Sequence, residues 1–319
     1  MPLLKNASPT LENSRDSHRA DMRLDAIAKS GKVWLQASRP KTLTAAIVPV
    51  LVATTLAKTT APFLLWIFLF ALISALAIQI ATNFINDYLD FEKGADTHER
   101  IGPQRVTQSQ LVSRVRVRQA AAVMIAIAVA AGIPLVAHGG SYILAIGIVS
   151  ILMAYSYTGG PFPLAYLGLG DLFVILFFGL IAVGGVFFLQ TGTYSFSALI
   201  LGLQIGFLST VLIAINNLRD VHQDEKVQKK TLAVRFGVKF ARAEILVLTF
   251  LPFALQVYWM KMWPGFLMLA PFVLLPLALK IVREVYATEP SEAYNQYLAH
   301  AAALHAGYGA ILSLIFLTK

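Results

Sequence analysis

Residues 64–90 read LLWIFLFALISALAIQIATNFINDYLD. From Leu64 to Ala81 the run carries no charge, and only Ser74 and Gln79 are polar. A helix of about 20 apolar residues crosses a bilayer core, so this run is long enough to span. The chain then turns polar, with Asn83, Asn86, Asp87 and Asp90 in quick succession. Asn83, Asp87 and Asp90 stand at i, i+4 and i+7 and share one helical face. Ionisable groups at the end of a membrane helix are costly and face a cavity, so this stripe is where chemistry is expected.

The rest of the chain has the same character. Of 319 residues, 57% are hydrophobic and 13% charged, against about 45–50% and about 25% in soluble domains. A soluble enzyme, a disordered chain and a coiled coil are excluded, which leaves an all-α polytopic membrane protein. Nine spans are expected, over 42–58, 63–85, 119–137, 141–157, 171–190, 196–217, 243–260, 264–281 and 300–317. Residues 1–30 read as a polar tail with a short amphipathic helix near Met22–Ile27 and no apolar stretch long enough for a signal peptide. Residues 31–319 read as a single transmembrane domain. Cysteine is absent, which removes disulfides and thiolate chemistry.

With the N-terminus in the cytoplasm, 23 of the 26 Lys and Arg residues fall on the cytoplasmic side. That bias orients the protein with its N-terminus and its polar loops inside. The net charge of +9 is then an orientation signal, and no nucleic-acid or protein partner is implied.

A second acidic stripe follows the sixth span. Asn216, Asp220 and Asp224 stand at i, i+4 and i+8, with Asn217 beside them. Both stripes lie on the cytoplasmic side, and the repeated Asn-to-Asp step suggests a duplicated four-helix unit. Carboxylates sharing a face repel unless a cation lies between them. Oxygen-only donor sets suit Mg²⁺, which binds through a few carboxylates together with phosphate oxygens and water. Arg100, Arg105 and Lys229 lie a few residues beyond the acids. Metal-binding acids with a cationic rim fit a diphosphate carrying its own divalent ion.

Asn86-Asp87-Tyr88-Leu89-Asp90 continuing to Gly94 and Asp96 resembles the first aspartate-rich motif of the UbiA superfamily of intramembrane prenyltransferases. Asn216-Asn217-Leu218-Arg219-Asp220 with Asp224 resembles the second. Five further segments are similar to the branch that prenylates 1,4-dihydroxy-2-naphthoate in menaquinone biosynthesis: 38–43 (SRPKTL), 100–105 (RIGPQR), 155–161 (YSYTGGP), 168–171 (GLGD) and 230–237 (KTLAVRFG). The resemblance runs from Arg39 to Gly237. That branch carries a Gly where this chain has Gln228, which puts the local turn in question.

The resemblance implies a nine-helix bundle around a central cavity in the bacterial inner membrane. It implies transfer of a polyprenyl group from its diphosphate to the naphthoate, with loss of CO₂ and diphosphate. Asp87, Asp90, Asp220 and Asp224 would hold Mg²⁺. Asn83, Asn86, Asn216 and Asn217 would line the diphosphate site, and Arg100, Arg105 and Lys229 would grip its oxygens. Tyr88, Tyr155 and Tyr157 are candidates for facing the allylic cation, and Tyr157 is counted with the catalytic groups. Arg39 and Lys41 are candidates for the acceptor carboxylate, and Asp171 either orients an acceptor hydroxyl or caps its helix. Another acceptor, such as 4-hydroxybenzoate or homogentisate, uses the same two motifs. A secondary transporter would place its acids at mid-membrane depth, which the cytoplasmic clustering argues against.

Overall fold

The computed structural model describes residues 31–94 and 101–319. The expected tail over 1–30, with its helix near Met22–Ile27, lies outside the described residues. So do Asp96, Glu99 and Arg100.

The described residues are almost wholly helical. Eight helices are long and apolar enough to cross a membrane among the described residues: α1 (Pro40–Ala57), α2 (Leu65–Glu92), α3 (Arg114–Ser156), α4 (Gly170–Thr191), α5 (Phe196–Arg219), α6 (Leu232–Met262), α7 (Phe266–Ala287) and α8 (Tyr294–Leu317). The difference from nine lies in α3. Gly140 interrupts it with φ 67° and ψ −156°, a conformation that glycine alone adopts readily. Before this break His138 packs edge-on against Trp66, near the start of α2. After α3, Thr158 accepts a hydrogen bond from Lys93, just past the end of α2. The chain therefore reverses at Gly140, and α3 supplies both expected passes over 119–137 and 141–157.

Other boundaries shift outward. α8 starts at Tyr294 rather than at 300, because its first turns are polar yet buried: Tyr294 and Tyr297 lie in the core. α6 starts at Leu232, eleven residues before the apolar run, and bends at Gly237 with φ 81°.

Small residues let the central helices approach closely. A side chain at Gly179 in α4 would collide with the backbone of Gly202 and Gly206 in α5, a spacing of small residues typical of membrane helix contacts. Around Gly179 the helix loosens into a π-helical stretch, Ile175–Ile181. This places Phe178 against the interior cavities. The densest core surrounds α5, the most buried of the eight spans.

Candidate active site

The two acidic stripes reach the same end of the bundle. Asp90 in α2 accepts hydrogen bonds from Arg105 (3.2 Å) and from the Tyr166 hydroxyl (3.0 Å). Asp224, in the helical turn Val221–Lys226, pairs with Lys229 at 3.2 Å. Its second oxygen, Oδ2, is buried with no hydrogen-bond partner. The Lys229 ammonium lies 6.0 Å from the centre of the Tyr166 ring, and Lys93 lies 4.3 Å from it on the first-motif side. Tyr166 thus bridges the motifs through its hydroxyl and its π face.

Electrostatics follow from this packing. Burial pushes the Asp224 carboxyl up to about 6, a shift that Lys229 opposes and Asp220 and Asp90 reinforce. Burial alone would lower the Lys229 ammonium, but the carboxylates of Asp224, Asp90 and Asp220 outweigh it and raise it. Burial lowers the Lys93 ammonium.

A polar chamber collects many of the expected residues. Arg39, Asn83, Asn86, Asp90 and Arg105 line one side. Tyr157, Asp171, Asn216, Asn217 and Lys229 line the other. Asp220 and Asp224 are buried immediately behind Asn216, Asn217 and Lys229. Asp171 is 4% exposed, and its Oδ1 has no partner. Next to the chamber runs an apolar groove walled by α1, α2, both legs of α3 and α4. Gln79, Thr82 and Tyr157 line both spaces and form the junction.

Other expected residues stand elsewhere. Asp87 is 2% exposed and accepts from the backbone amides of Val106 (3.2 Å) and Thr107 (3.0 Å). Both its oxygens hold the segment after residue 100 onto α2, and Asp87 does not line the chamber. Lys41 is exposed and does not line the chamber either. Tyr155 is 47% exposed, because the helical turn points it away from Tyr157. Arg100 is outside the described residues. The expected four-carboxylate clamp is therefore not assembled: among the described residues no group of three or more Asp, Glu or His side chains is gathered closely enough to hold a metal ion. Each acid already has a counter-charge or an amide. Asp220 receives a two-pronged contact from Arg219, at 2.7 and 2.6 Å.

Several residues of the site escaped the sequence reading. Thr158 donates to Asn86. Thr42 accepts from Asn83 at 3.1 Å and from Gln79 at 3.4 Å. Arg219 is 1% exposed and also donates to Asn216 (2.8 Å) and Asn295 (2.7 Å). Arg219 sits inside the second motif and carried a signal, being a lone cation among acids and amides. At Gln228 the backbone keeps a left-handed conformation, φ 57°, so the turn expected of a Gly is made by Gln.

A bundle of membrane-length helices with paired acidic motifs at one end and an apolar groove below them defines a membrane-embedded enzyme. The chain belongs to the UbiA prenyltransferase family, whose model matches residues 46–304. It is 34% identical over 279 residues to 1,4-dihydroxy-2-naphthoate octaprenyltransferase of Haemophilus influenzae, covering 82% of this chain and 88% of that protein. It is 37% identical over 217 residues to the protein of the same name from Escherichia coli, covering 66% and 70%. In fold it is similar to a UbiA homolog from Aeropyrum pernix K1 (TM-score 0.66, 17% identity, covering 85% of this chain and 98% of that one). It is also similar to a UbiA homolog from Archaeoglobus fulgidus bound to DMAPP and Mg²⁺ (TM-score 0.58, 17% identity, covering 88% and 99%).

Proposed function

We propose that this protein transfers a polyprenyl group from polyprenyl diphosphate to 1,4-dihydroxy-2-naphthoate, releasing CO₂ and diphosphate and giving demethylmenaquinone. The observation that carries the reading is the junction at Gln79, Thr82 and Tyr157, where a polar chamber flanked by two acidic motifs meets an apolar groove. An isoprenoid diphosphate has this polarity, with a charged head and a long apolar tail. The naphthoate acceptor is supported by the names of the relatives, and the bilayer supplies the tail with an apolar surround. We further assign the protein to the bacterial inner membrane with the acidic motifs facing the cytoplasm, on the distribution of Lys and Arg.

The donor set fits Mg²⁺: oxygen ligands only, with one buried carboxylate oxygen, Asp224 Oδ2, lacking any partner. Asp224 and Asp90 would hold the ion, with Asp220 beside them, while Asp87 positions the segment that carries Arg105. When bound, Mg²⁺ supplies positive charge to the leaving diphosphate. Lys229 and Arg105, each now paired with a motif carboxylate, would turn to diphosphate oxygens once those carboxylates find another cation. Asn86, Asn216 and Asn217 orient the head group from both walls. Tyr157 lines both the chamber and the groove, and its ring would stabilise the carbon that becomes cationic as the bond to diphosphate breaks. Closely packed helices keep water from that carbon. Arg39, lining the same chamber, offers a guanidinium for the acceptor carboxylate.

The reading is tested by thermal unfolding of the purified protein. Mg²⁺ with a polyprenyl diphosphate should raise the midpoint by several degrees, and either one alone should raise it much less. An equal shift with and without Mg²⁺ would remove the metal from the account.

A further inference from the structure

We propose that Ser209 and His305 form a subsite for a hydroxyl group of the aromatic acceptor, with His305 holding the hydroxyl's proton while the ring is prenylated. This inference rests on the prenyl-transfer reading above. Ser209 lies in α5 about two helical turns before Asn216, and Gln79 lies about two turns before Asn86 in α2. Both therefore sit about 10 Å deeper than the head-group amides. That is the level where the carbon end of a diphosphate held by the motifs would meet an acceptor.

Ser209 lines the polar chamber and is 3% exposed. Its hydroxyl is 3.2 Å from Nε2 of His305, a wholly buried side chain in α8. Two comparisons within the molecule set this pair apart. Helical hydroxyls commonly turn back to their own backbone, as Thr210 does to Gly206 (2.8 Å) and Thr249 to Ile245 (2.6 Å). Ser209 instead reaches across to another helix.

The second comparison is one turn deeper, where Gln204 and Tyr308 join the same two helices at 2.9 Å. There every group is absorbed: Gln204 accepts from the Trp259 ring (2.7 Å) and donates to the Pro252 carbonyl (2.9 Å), and Tyr308 donates to that carbonyl (2.8 Å). Neither Gln204 nor Tyr308 lines the chamber or the groove. That pair is a closed seal between helices. The Ser209–His305 pair is open, because a hydroxyl offers one donor and two acceptor sites and this one makes a single bond. His305 Nδ1 has no partner either. The chamber thus presents a buried hydroxyl with spare capacity, backed by an imidazole whose second nitrogen has no partner.

The step balances without another reagent. The aryl hydroxyl passes its proton to Ser209 Oγ as the proton of Ser209 moves to His305 Nε2. The electron-rich ring forms a bond from the carboxylate-bearing carbon to C1 of the prenyl group. The C1–O bond breaks, and its electron pair leaves on diphosphate. The carboxylate departs as CO₂, and its bonding pair restores the ring. The proton then returns from His305 through Ser209 to the aryl oxygen. Ser209 touches the acceptor, and His305 acts through Ser209.

The test crosses variants with acceptors. Full-length wild type, Ser209→Ala and His305→Gln are reconstituted with Mg²⁺ and polyprenyl diphosphate. They are offered 1,4-dihydroxy-2-naphthoate, 1-hydroxy-2-naphthoate and 4-hydroxy-2-naphthoate. Turnover is read, or the inhibition constant for an analogue that binds without being prenylated. Each variant should lose about tenfold or more in kcat/KM for the dihydroxy acceptor. Each should leave the values for the analogue lacking the served hydroxyl within about twofold of wild type. Equal losses on all three acceptors, or no loss on any, would overturn the subsite. Ser209→Ala removes only one oxygen and guards against misfolding of the histidine variant. If wild type prenylates none of the three, the prenyl-transfer reading itself fails, a result distinct from either pattern.

Discussion

Arg219 and Asn295 are joined by a 2.7 Å hydrogen bond from the guanidinium to the side-chain carbonyl, which ties the second acidic motif to the last helix. The same guanidinium grips Asp220, and Asn295 in turn donates to the Ile101 carbonyl at 3.2 Å. Ile101 begins the segment whose Arg105 reaches Asp90. A continuous chain of polar contacts therefore runs from one motif to the other through α8. Asn295→Ala strands a donor of a buried guanidinium and should cost about 1–3 kcal/mol. Asn295→Asp keeps the acceptor and should recover most of that stability. Thermal unfolding in detergent reads both, and identical midpoints for the two variants would contradict the role given to this contact.

The acids of the two motifs should separate by function. Asp224→Asn removes the carboxylate whose second oxygen is unpartnered, and should reduce turnover by about 100-fold or more while leaving unfolding behaviour intact. Asp87→Ala removes the acceptor for two backbone amides. It should expose the segment around Val106 and Thr107 to protease. Limited proteolysis reads this directly, and cleavage rates matching wild type would show that Asp87 does not hold the segment.

Arg39 and Lys41, both candidates in the sequence, part company in the structure. Arg39 lines the chamber, and exposed Lys41 does not. Arg39→Ala should raise KM for the acceptor about tenfold or more, the scale of one lost charged hydrogen bond. Lys41→Ala should leave it within about twofold. Steady-state kinetics with varied acceptor distinguish the two. A larger effect at Lys41 would refute the assignment.

Gly147 lines the apolar groove and has open space where a Cβ would stand. Gly147→Leu should therefore fold, and should obstruct a long isoprenoid while sparing a short one. Turnover with a polyprenyl diphosphate should fall about tenfold or more, and turnover with dimethylallyl diphosphate should change little. A uniform loss on both donors would place the tail elsewhere.

Much of this architecture was legible in the sequence because the bilayer imposes it. Each span must be long and apolar, and the Lys and Arg residues concentrate on one side. The Gly140 reversal was readable as a gap between two apolar runs. The buried polar start of α8 was not, because Tyr294 and Tyr297 resemble an interfacial rim until their neighbours are known. Within the site, the acids and amides announced themselves by spacing on one helix. Tyr166, Thr158, Ser209, His305 and Asn295 did not, since their partners lie on distant segments of the chain. The sequence placed Asp87 among the metal-binding acids. In the structure both its oxygens accept from the backbone amides of Val106 and Thr107, contacts that spacing along one helix does not reveal.

The central claim is prenyl transfer to a dihydroxynaphthoate, and product identification tests it most directly. The full chain in lipid, with Mg²⁺ and a polyprenyl diphosphate, is offered 1,4-dihydroxy-2-naphthoate and 4-hydroxybenzoate in parallel, and the products are identified by mass spectrometry. The account predicts a decarboxylated prenyl naphthoquinol, with CO₂ and diphosphate released in equal amounts, and little or no prenylated hydroxybenzoate. Prenylation of hydroxybenzoate alone, or of neither acceptor, would contradict it.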